Sequence, residues 1–154
     1  VRSVERAFRL LSELGQLVGC GEAGRLMERE GRRTWQNARA DFQPVRPKVA
    51  YAVWRNPWMW AGTDAYIQDV LRWWGWTPWP QEPRYPEKTM EAISLQGMDE
   101  LLLPSEPFPF KAAHQAECAG MPSRLVDGEM FSWYGSRMRL VPDYMLSTMG
   151  KEAE

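Results

Sequence analysis

The sequence predicts an α/β fold in which a mainly parallel sheet of three to four strands is flanked by helices. An amphipathic helix and a long charged linker helix are expected to precede the sheet. From Lys48 onward, short apolar stretches alternate with helical patterns, and this alternation is typical of a parallel sheet. Before Lys48, apolar residues recur at three- and four-residue spacing, which is the period of one helix face.

The helical segment is predicted to comprise residues 1–43. Val4, Phe8 and Leu11 begin the apolar face of an amphipathic helix. After a glycine-cysteine-glycine break, a second helix is expected over Glu22–Ala40, with a thin apolar stripe and many charges. A helix of this kind lies on a surface or bridges two bodies rather than filling a core.

Prolines are expected to separate this segment from an α/β lobe. Pro44 and Pro47 follow the charged helix and cannot continue it. The predicted lobe comprises residues 44–150, and residues 151–154 are expected to form a tail.

The lobe is predicted to contain three main strands with helices between them. Strands are expected at Val49–Val53, Glu100–Leu103 and Arg124–Val126. Helices are expected after a cap at Thr63 or Asp64, and at Thr89–Leu95, Lys111–Cys118 and Arg137–Met149, the last of these interrupted near its start by Pro142. The segment Trp76–Glu87 is rich in proline, so we expect an extended surface loop there.

Aromatic residues are concentrated in the loops that follow the predicted strands. These loops are Arg55–Ala61, Ser105–Phe110 and Gly128–Tyr134. In a parallel sheet, the loops at the carboxyl ends of the strands lie on one edge, where ligands bind. We therefore predict a ligand site on this edge. Its candidate residues are Trp54, Arg55, Trp58, Trp60, Glu106, Phe108, Glu129, Phe131, Trp133 and Tyr134.

Each candidate aromatic residue has an alternative place in the core. Trp54 can face either way, and the loop with Trp58 and Trp60 can fold back over the core, since tryptophan buries well anywhere. One of Phe108 and Phe110 is expected to be a core residue. The third loop carries three aromatic residues, which cannot all point inward.

The charged residues near this edge also have two interpretations. Arg55 and Arg137 can bind an anionic group of a ligand, because guanidinium groups suit carboxylates and phosphates. Either arginine can instead form an ion pair with Glu106, Asp127 or Glu129. For Arg137 the ion pair is the preferred interpretation.

Composition and charge argue against several classes of function. A net charge of -1 argues against a nucleic-acid partner, which requires a basic face, and no apolar run has the length of a membrane helix. Cys20 and Cys118 are expected to be unpaired thiols, and His114, the single histidine, is expected at the surface. No set of metal-ligating residues converges in the sequence, so we predict no metal site and no cofactor. Because Val1 already begins a helical pattern, we expect the chain to be part of a longer chain or its processed form.

Four segments of the sequence resemble a known protein family. They are V-A-Y-A-V-W-R-N-P-W-M, R-Y-P-E-K-T-M-E-A-I, L-L-L-P-S-E-P-F-P-F-K and V-D-G-E-M-F-S-W-Y-G-S-R. Their order and spacing, from about Lys48 to Met149, are similar to the C-terminal lobe of the helical-backbone (class III) substrate-binding proteins of ABC importers. This family handles vitamin B12, haem, ferric siderophores and bare metal ions. The charged helix resembles the rigid helix that joins the two lobes in that family.

The resemblance implies ligand capture without catalysis, in the periplasm or elsewhere outside the cytoplasm. The implied partners are a corrinoid, haem or siderophore, an ABC permease, and an N-terminal lobe that this sequence lacks. The resemblance also implies docking to the permease through one glutamate in each lobe, and it assigns Glu91 to that role. The segment Trp73–Trp79 departs from the family pattern, and its tryptophans are candidates for covering a partner surface.

Three hypotheses of function follow from the sequence. The leading one is a substrate-binding lobe for a large ligand that stacks on aromatic residues. The second is a hydrolase that uses Glu106, Asp127 and Glu129 as an acid/base set. The third is a partner-binding or self-associating module in which exposed tryptophans form the interface.

Overall fold

Two antiparallel helices open the chain in the computed structural model, which describes residues 1–42 and 47–150. Helix α1 comprises Val4–Leu17 and begins at Ser3, whose hydroxyl accepts a hydrogen bond from the Arg6 backbone N–H. Helix α2 comprises Gly21–Asp41. Both helices were expected from the sequence, and the bounds of α2 agree with the prediction to within about two residues, which is the usual uncertainty of helix ends.

Small residues allow the two helices to pack closely. A Cβ atom at Gly24 would lie 2.7 Å from the carbonyl oxygen of Leu11 and 3.0 Å from the Cα atom of Gly15. Any larger side chain at this position would push the helices apart. A salt bridge from Arg32 to Glu5 adds a partly exposed link across the pair, and Glu28 on α2 also pairs with Arg32.

The aromatic side chain of Trp35 joins helix α2 to the rest of the molecule. It is fully buried, and its indole Nε1–H donates a 2.8 Å hydrogen bond to the carbonyl oxygen of Met138. Its ring also packs against Phe8 at 5.5 Å and against Trp74 at 5.6 Å between centroids. The charged helix therefore lies on the lobe and contributes one large anchor to its core.

The proposed division into a helical segment and a lobe stays a prediction. Helix α2 ends at Asp41, but Pro44 and residues 151–154 lie outside the described residues. Residues of both helices and of the lobe belong to one hydrophobic cluster, which includes Val4, Trp35 and Val70.

A five-stranded, mainly parallel sheet forms the centre of the lobe, which confirms the predicted fold class. Its strands are β1 Lys48–Trp54, β2 Met59–Trp60, β3 Thr77–Trp79, β4 Glu100–Pro104 and β5 Ser123–Val126. The order is β2-β1-β4-β5, and β3 also pairs with β1. Strands β3, β4 and β5 are parallel to their neighbours, whereas β2 is antiparallel to β1.

The side chains of the sheet alternate between two core clusters. Val49, Tyr51 and Val53 of β1 face the cluster beneath α1 and α2. Ala50 and Ala52 face a second cluster, which contains Leu101 and Leu103 of β4. Both faces of the sheet are therefore covered, as is usual for parallel strands.

The expected surface loop at Trp76–Glu87 is wrong in its first part, because Thr77–Trp79 forms strand β3. Pro78 is tolerated there because β3 is an edge strand beside β1. A backbone N–H that is missing on the outer side of β3 removes no hydrogen bond of the sheet. Two of the four tryptophans expected to cover a partner surface are core residues instead. Trp74 and Trp76 are buried, and both pack against Phe42.

The helices of the lobe are shorter than the sequence pattern suggested. They are α3 Tyr66–Trp73, α4 Met90–Ser94, α5 Ala112–Gln115, α6 Glu129–Ser132 and α7 Val141–Tyr144. The Thr89 cap of α4 is confirmed, whereas α3 has no side-chain cap at its start. At Arg137–Met149, where a helix interrupted near its start by Pro142 was expected, the structure has a 3-10 segment, α7 and a π-helical turn. Pro142 lies in the first turn of α7, where proline is tolerated.

We predict that Trp35→Ala lowers the free energy of unfolding by about 3–5 kcal/mol, because it leaves a large cavity and an unpaired carbonyl at Met138. Urea denaturation followed by circular dichroism measures this. The control is Leu26→Ala on the same helix, where the side chain is half exposed and the expected change is within about 0.5 kcal/mol. Equal losses for the two variants would contradict the anchoring role.

Candidate functional site

Two adjoining cavities form one cleft at the carboxyl-terminal edge of the sheet. The first has a volume of about 470 Å³ and is lined mainly by apolar side chains of β1, β2 and the loops after β4 and β5. The second has a volume of about 550 Å³ and has a more polar lining. Ile67, Tyr85 and Ser132 line both cavities, so the two adjoin one another at these residues. We refer to them as the apolar end and the polar end of the cleft.

Parallel strands place the walls of the apolar end. Val53 and Trp54 are the last residues of β1, Glu106 and Pro107 follow β4, and Trp133 follows α6. The three carboxyl ends meet here because β1, β4 and β5 run in the same direction. The sequence-based expectation of a hollow among these loops agrees with this geometry.

Large aromatic side chains remain accessible in the cleft. The exposed fraction is 44% for Trp54, 47% for Trp133 and 43% for Tyr134. Phe108 packs behind Trp54, with 5.6 Å between ring centroids, and contacts the buried Phe110 at 4.7 Å. The expectation that one of the two phenylalanines is a core residue is therefore confirmed for Phe110.

Two candidate residues, Trp60 and Phe131, are completely buried and expose no surface to the cleft. Trp60 lies opposite the small Ala52 in the sheet and enters the second core cluster, where its Nε1–H donates to the Lys88 carbonyl. Phe131 lies on the inner side of α6 and packs against Tyr51 at 5.5 Å. Helical spacing turns Phe131 inward and leaves Trp133 outside.

Two further candidates lie away from the cleft. Trp58 stacks between Trp60 and Phe110 and lines a separate cavity of about 350 Å³. Arg55 forms a 2.6 Å ion pair with Glu117, whose carboxyl pKa this arginine lowers. Arg55 therefore pairs with an acid in the turn that follows α5, and not with Glu106, Asp127 or Glu129 as expected. Its binding of a ligand anion stays a prediction.

The carboxylate of Glu106 is the acidic group of the apolar end. It accepts hydrogen bonds from the indole Nε1–H of Trp133 and, at 3.3 Å, from the hydroxyl of Ser132. These bonds fix the indole ring against the cleft. Both donors approach Oε1, so Oε2 remains as the second acceptor of the carboxylate.

The two other carboxylates of the hydrolase hypothesis have structural partners. Glu129 forms a 2.9 Å ion pair with Arg137, which confirms the preferred interpretation of that arginine. Asp127 accepts a 3.0 Å hydrogen bond from the Glu129 backbone N–H. Glu129 and Asp127 therefore support the turn into α6, and only Glu106 lines the cleft.

Two buried tyrosines in and beneath the cleft, Tyr66 and Tyr51, are held as neutral phenols. Burial, followed by the charge of Asp69, raises the pKa of Tyr66, which packs against Tyr134 at 5.6 Å. Burial and the nearby Glu106 raise the pKa of Tyr51 well above its ordinary value. The fixed charges at the cleft thus come from carboxylates and arginines, not from phenolates.

The proline-rich loop supplies a wall that the sequence analysis missed. Segment 82–88 runs antiparallel to residues 58–63, with hydrogen bonds from Trp60 N–H to the Pro86 carbonyl and from Gly62 N–H to the Arg84 carbonyl. This pairing places Arg84 and Tyr85 in the cleft. The partners are more than twenty residues apart, so no local pattern reveals them. The glycine at position 62 is the signal of this pairing in the sequence, because a Cβ atom there would lie 2.2 Å from the Glu82 carbonyl oxygen.

Glu91 lies on the exposed side of α4, outside the cleft. Hydrogen bonds from its own backbone N–H and from Thr89 lower the pKa of its carboxyl group. Asn56, Trp58 and Glu87 share the shallow cavity beside it. This arrangement presents an ionised carboxylate next to an aromatic ring.

Other features of the described residues complete the site. Cys20 is exposed and Cys118 is buried, and both are unpaired, as expected. His114 is half-buried, and its Nδ1 accepts the Lys111 backbone N–H. Within residues 1–42 and 47–150, no three histidine, cysteine or acidic side chains are grouped as metal ligands. No helix in that part of the chain is long and apolar enough to span a membrane.

Neither a protein-family model nor a curated protein matches this sequence. Solved structures do resemble the fold. The periplasmic heme-binding protein BhuT, in complex with two hemes, has 18% identity and a TM-score of 0.76, with 97% of this chain and 63% of that chain covered. The periplasmic vitamin B12 binding protein BtuF of Vibrio cholerae has 13% identity and a TM-score of 0.74, with 98% and 64% covered. This chain has the fold of periplasmic ligand-binding proteins.

The fold assignment agrees with a third structure, the periplasmic heme-binding protein RhuT from Roseiflexus sp. RS-1. It has 13% identity and a TM-score of 0.76, with 94% of this chain and 62% of that chain covered. The resemblance inferred from the sequence is thus confirmed at the level of the fold. The chain spans less than two thirds of the length of each of these structures.

We predict that Gly62→Ala lowers the free energy of unfolding by about 1–3 kcal/mol, because the added Cβ collides with backbone oxygens of the proline-rich loop. Hydrogen exchange should also show reduced protection of the amides at position 62 and Thr63. The control is Gly21→Ala, where the added Cβ meets a flexible side chain at 3.4 Å. Unchanged amide protection in Gly62→Ala would show that the loop is not held at this point.

Proposed function

We propose that this chain is the ligand-binding lobe of a periplasmic or otherwise extracytoplasmic substrate-binding protein that serves an ABC importer. The ligand class is a corrinoid, haem or ferric siderophore. The observation that carries the proposal is the aromatic-lined cleft at the carboxyl edge of the sheet, in a fold shared with heme- and vitamin B12-binding proteins. Sheet edges of this kind are the usual ligand positions in open α/β folds.

The proposed mechanism is capture without chemical change of the ligand. Trp54, Trp133 and Tyr134 offer ring faces that bury the apolar surface of the ligand. Glu106 accepts a hydrogen bond from a polar group of the ligand through its second carboxylate oxygen. Ligand release then requires only that the cleft opens.

A second lobe is part of the proposal. The cleft of this chain is open on one side, and the neighbouring structures are more than half as long again as the region that matches. We infer that an N-terminal lobe, or a second copy of this chain, closes the cleft over the ligand. Helix α2 is the element that would connect the lobes, because it lies on the lobe through Trp35 and leaves Leu26 and Met27 exposed at its other end.

Docking to a permease is assigned to Glu91. Its carboxylate is exposed, and its lowered pKa keeps it ionised at neutral pH. Trp58 lines the same cavity as Glu91, but its ring is already stacked against Trp60 and Phe110, so the carboxylate is the group available to an arginine of the partner. The docking surface and the cleft are separate, so ligand capture and docking do not compete for the same residues.

We predict that Trp133→Ala weakens ligand binding by about 3- to 10-fold, because one stacking surface is lost. Quenching of tryptophan fluorescence by haemin, cobinamide and a ferric siderophore measures the affinity. Trp58→Ala serves as the control, because Trp58 lies outside the cleft, and its affinity should equal that of the parent protein. Absence of saturable quenching by all three compounds, in the chain alone and with a partner lobe added, would refute the proposed function.

We predict that Glu91→Lys reduces binding to proteoliposomes that contain a vitamin B12 or haem importer permease by about tenfold or more, since it replaces attraction to arginine by repulsion. Co-sedimentation measures the bound fraction. Ligand affinity should not change. Glu22→Lys, an exposed acid on α2, provides a charge-matched control that should bind like the parent protein. Equal loss in both variants would indicate a net-charge effect instead of a docking residue.

A further inference from the structure

The charges of the cleft are distributed unevenly between its two ends. The apolar end carries the carboxylate of Glu106, which faces Trp133 and Ser132. The polar end carries the guanidinium groups of Arg2 and Arg84 and one carboxylate, Asp64. A ligand in the cleft therefore meets a negative group at one end and an excess of positive charge at the other.

Asp64 is already engaged by its neighbours. One of its oxygens accepts a hydrogen bond from the Arg84 backbone N–H, and the other lies 3.8 Å from the Arg2 guanidinium. In the part of the chain that the structure describes, the Arg84 guanidinium has no ion-pair partner. Its side chain is exposed and lines the polar end. Arg84 is thus the cation at the cleft whose charge is not paired among the described residues.

The backbone of Arg84 is held in an uncommon conformation. Its φ angle is +62°, a region that side chains other than glycine rarely adopt. Two bonds hold it there: the Gly62 N–H donates to its carbonyl at 2.7 Å, and its own N–H donates to Asp64. This backbone conformation costs free energy, and the two hydrogen bonds maintain it. It determines the direction in which the Arg84 side chain leaves the loop.

We propose that Arg84 is a specificity-determining residue that recognises a carboxylate on the ligand. This inference rests on the proposed function and narrows its ligand class to an apolar, ring-bearing acid. The ring system lies against Trp54 and Trp133 at the apolar end. The carboxylate reaches Arg84 at the polar end, where a guanidinium can bind it with two hydrogen bonds.

The charge distribution also fixes the orientation of the ligand. Glu106 repels an acid group at the apolar end, whereas Arg84 attracts it at the polar end. Tyr66 and Tyr134 line the polar end together with Arg84, and their rings pack 5.6 Å apart. An ester of the same ring system keeps the stacking surface but loses the contact with Arg84.

A matched pair of probes tests this inference: haemin, which carries two carboxylates, and haemin dimethyl ester, which carries none. Tryptophan quenching measures the affinity of both for the parent chain and for Arg84→Gln. We expect the parent chain to bind the acid about tenfold more tightly than the ester, the value of one charge-assisted hydrogen-bond pair. In Arg84→Gln the two affinities should become equal, with the affinity for the ester unchanged.

Two control variants accompany this experiment. Arg84→Lys keeps the charge and should retain part of the preference for the acid. Arg29→Gln removes an exposed guanidinium from α2 and should leave the preference unchanged. Glutamine and arginine meet the same backbone strain at position 84, so circular dichroism and the unchanged affinity for the ester report that the loop is intact.

The outcomes separate this inference from the proposed function. Saturable binding of both probes with equal affinity would overturn the role of Arg84 and leave the proposed function standing. A preference for the acid that persists in Arg84→Gln would also overturn the role of Arg84. Absence of binding by either probe to the parent chain would count against the proposed function itself and against any inference drawn from it.

Discussion

Strand β1 is the element on which the rest of the structure depends. It pairs with β4 along one edge, and with β3 and then β2 along the other. Five consecutive residues, from Val49 to Val53, are buried, so both of its faces carry core. Its carboxyl end delivers Trp54 directly to the cleft. Because β1 has no free edge or free face, the position of this tryptophan is set by the whole sheet.

The fold was largely predictable from local patterns, because the apolar residues of each main element recur at the period of a strand or of a helix. The alternation at Val49–Val53 and the apolar run at Glu100–Leu103 both correspond to strands, and the spacing of Val4, Phe8 and Leu11 corresponds to α1. Parallel direction then places the carboxyl ends on one edge without further information. Predictions failed where a residue is controlled by a partner that lies far away in the sequence.

Strand β3 and the proline-rich loop show why the remaining part was not predictable. Three residues with a central proline have no strand pattern of their own. Thr77–Trp79 forms a strand because its backbone pairs with the edge of β1. Tyr85 reaches the cleft because the backbone of its loop pairs with residues 58–63. Likewise, Trp60 was expected at the site but lies in the core, since the small Ala52 opposite it leaves space for an indole.

The tryptophan content of the chain therefore has two physical causes. Trp35, Trp60 and Trp74 are fully buried and replace several smaller core residues in a lobe with few long helices. Trp54 and Trp133 keep nearly half of their surface exposed, although burying an indole is favourable. Glu106 holds Trp133 by its Nε1–H, and Phe108 supports Trp54 from behind. Rings that are fixed and yet left open to solvent have lost side-chain entropy before a ligand arrives, so less of the stacking energy is spent on ordering them.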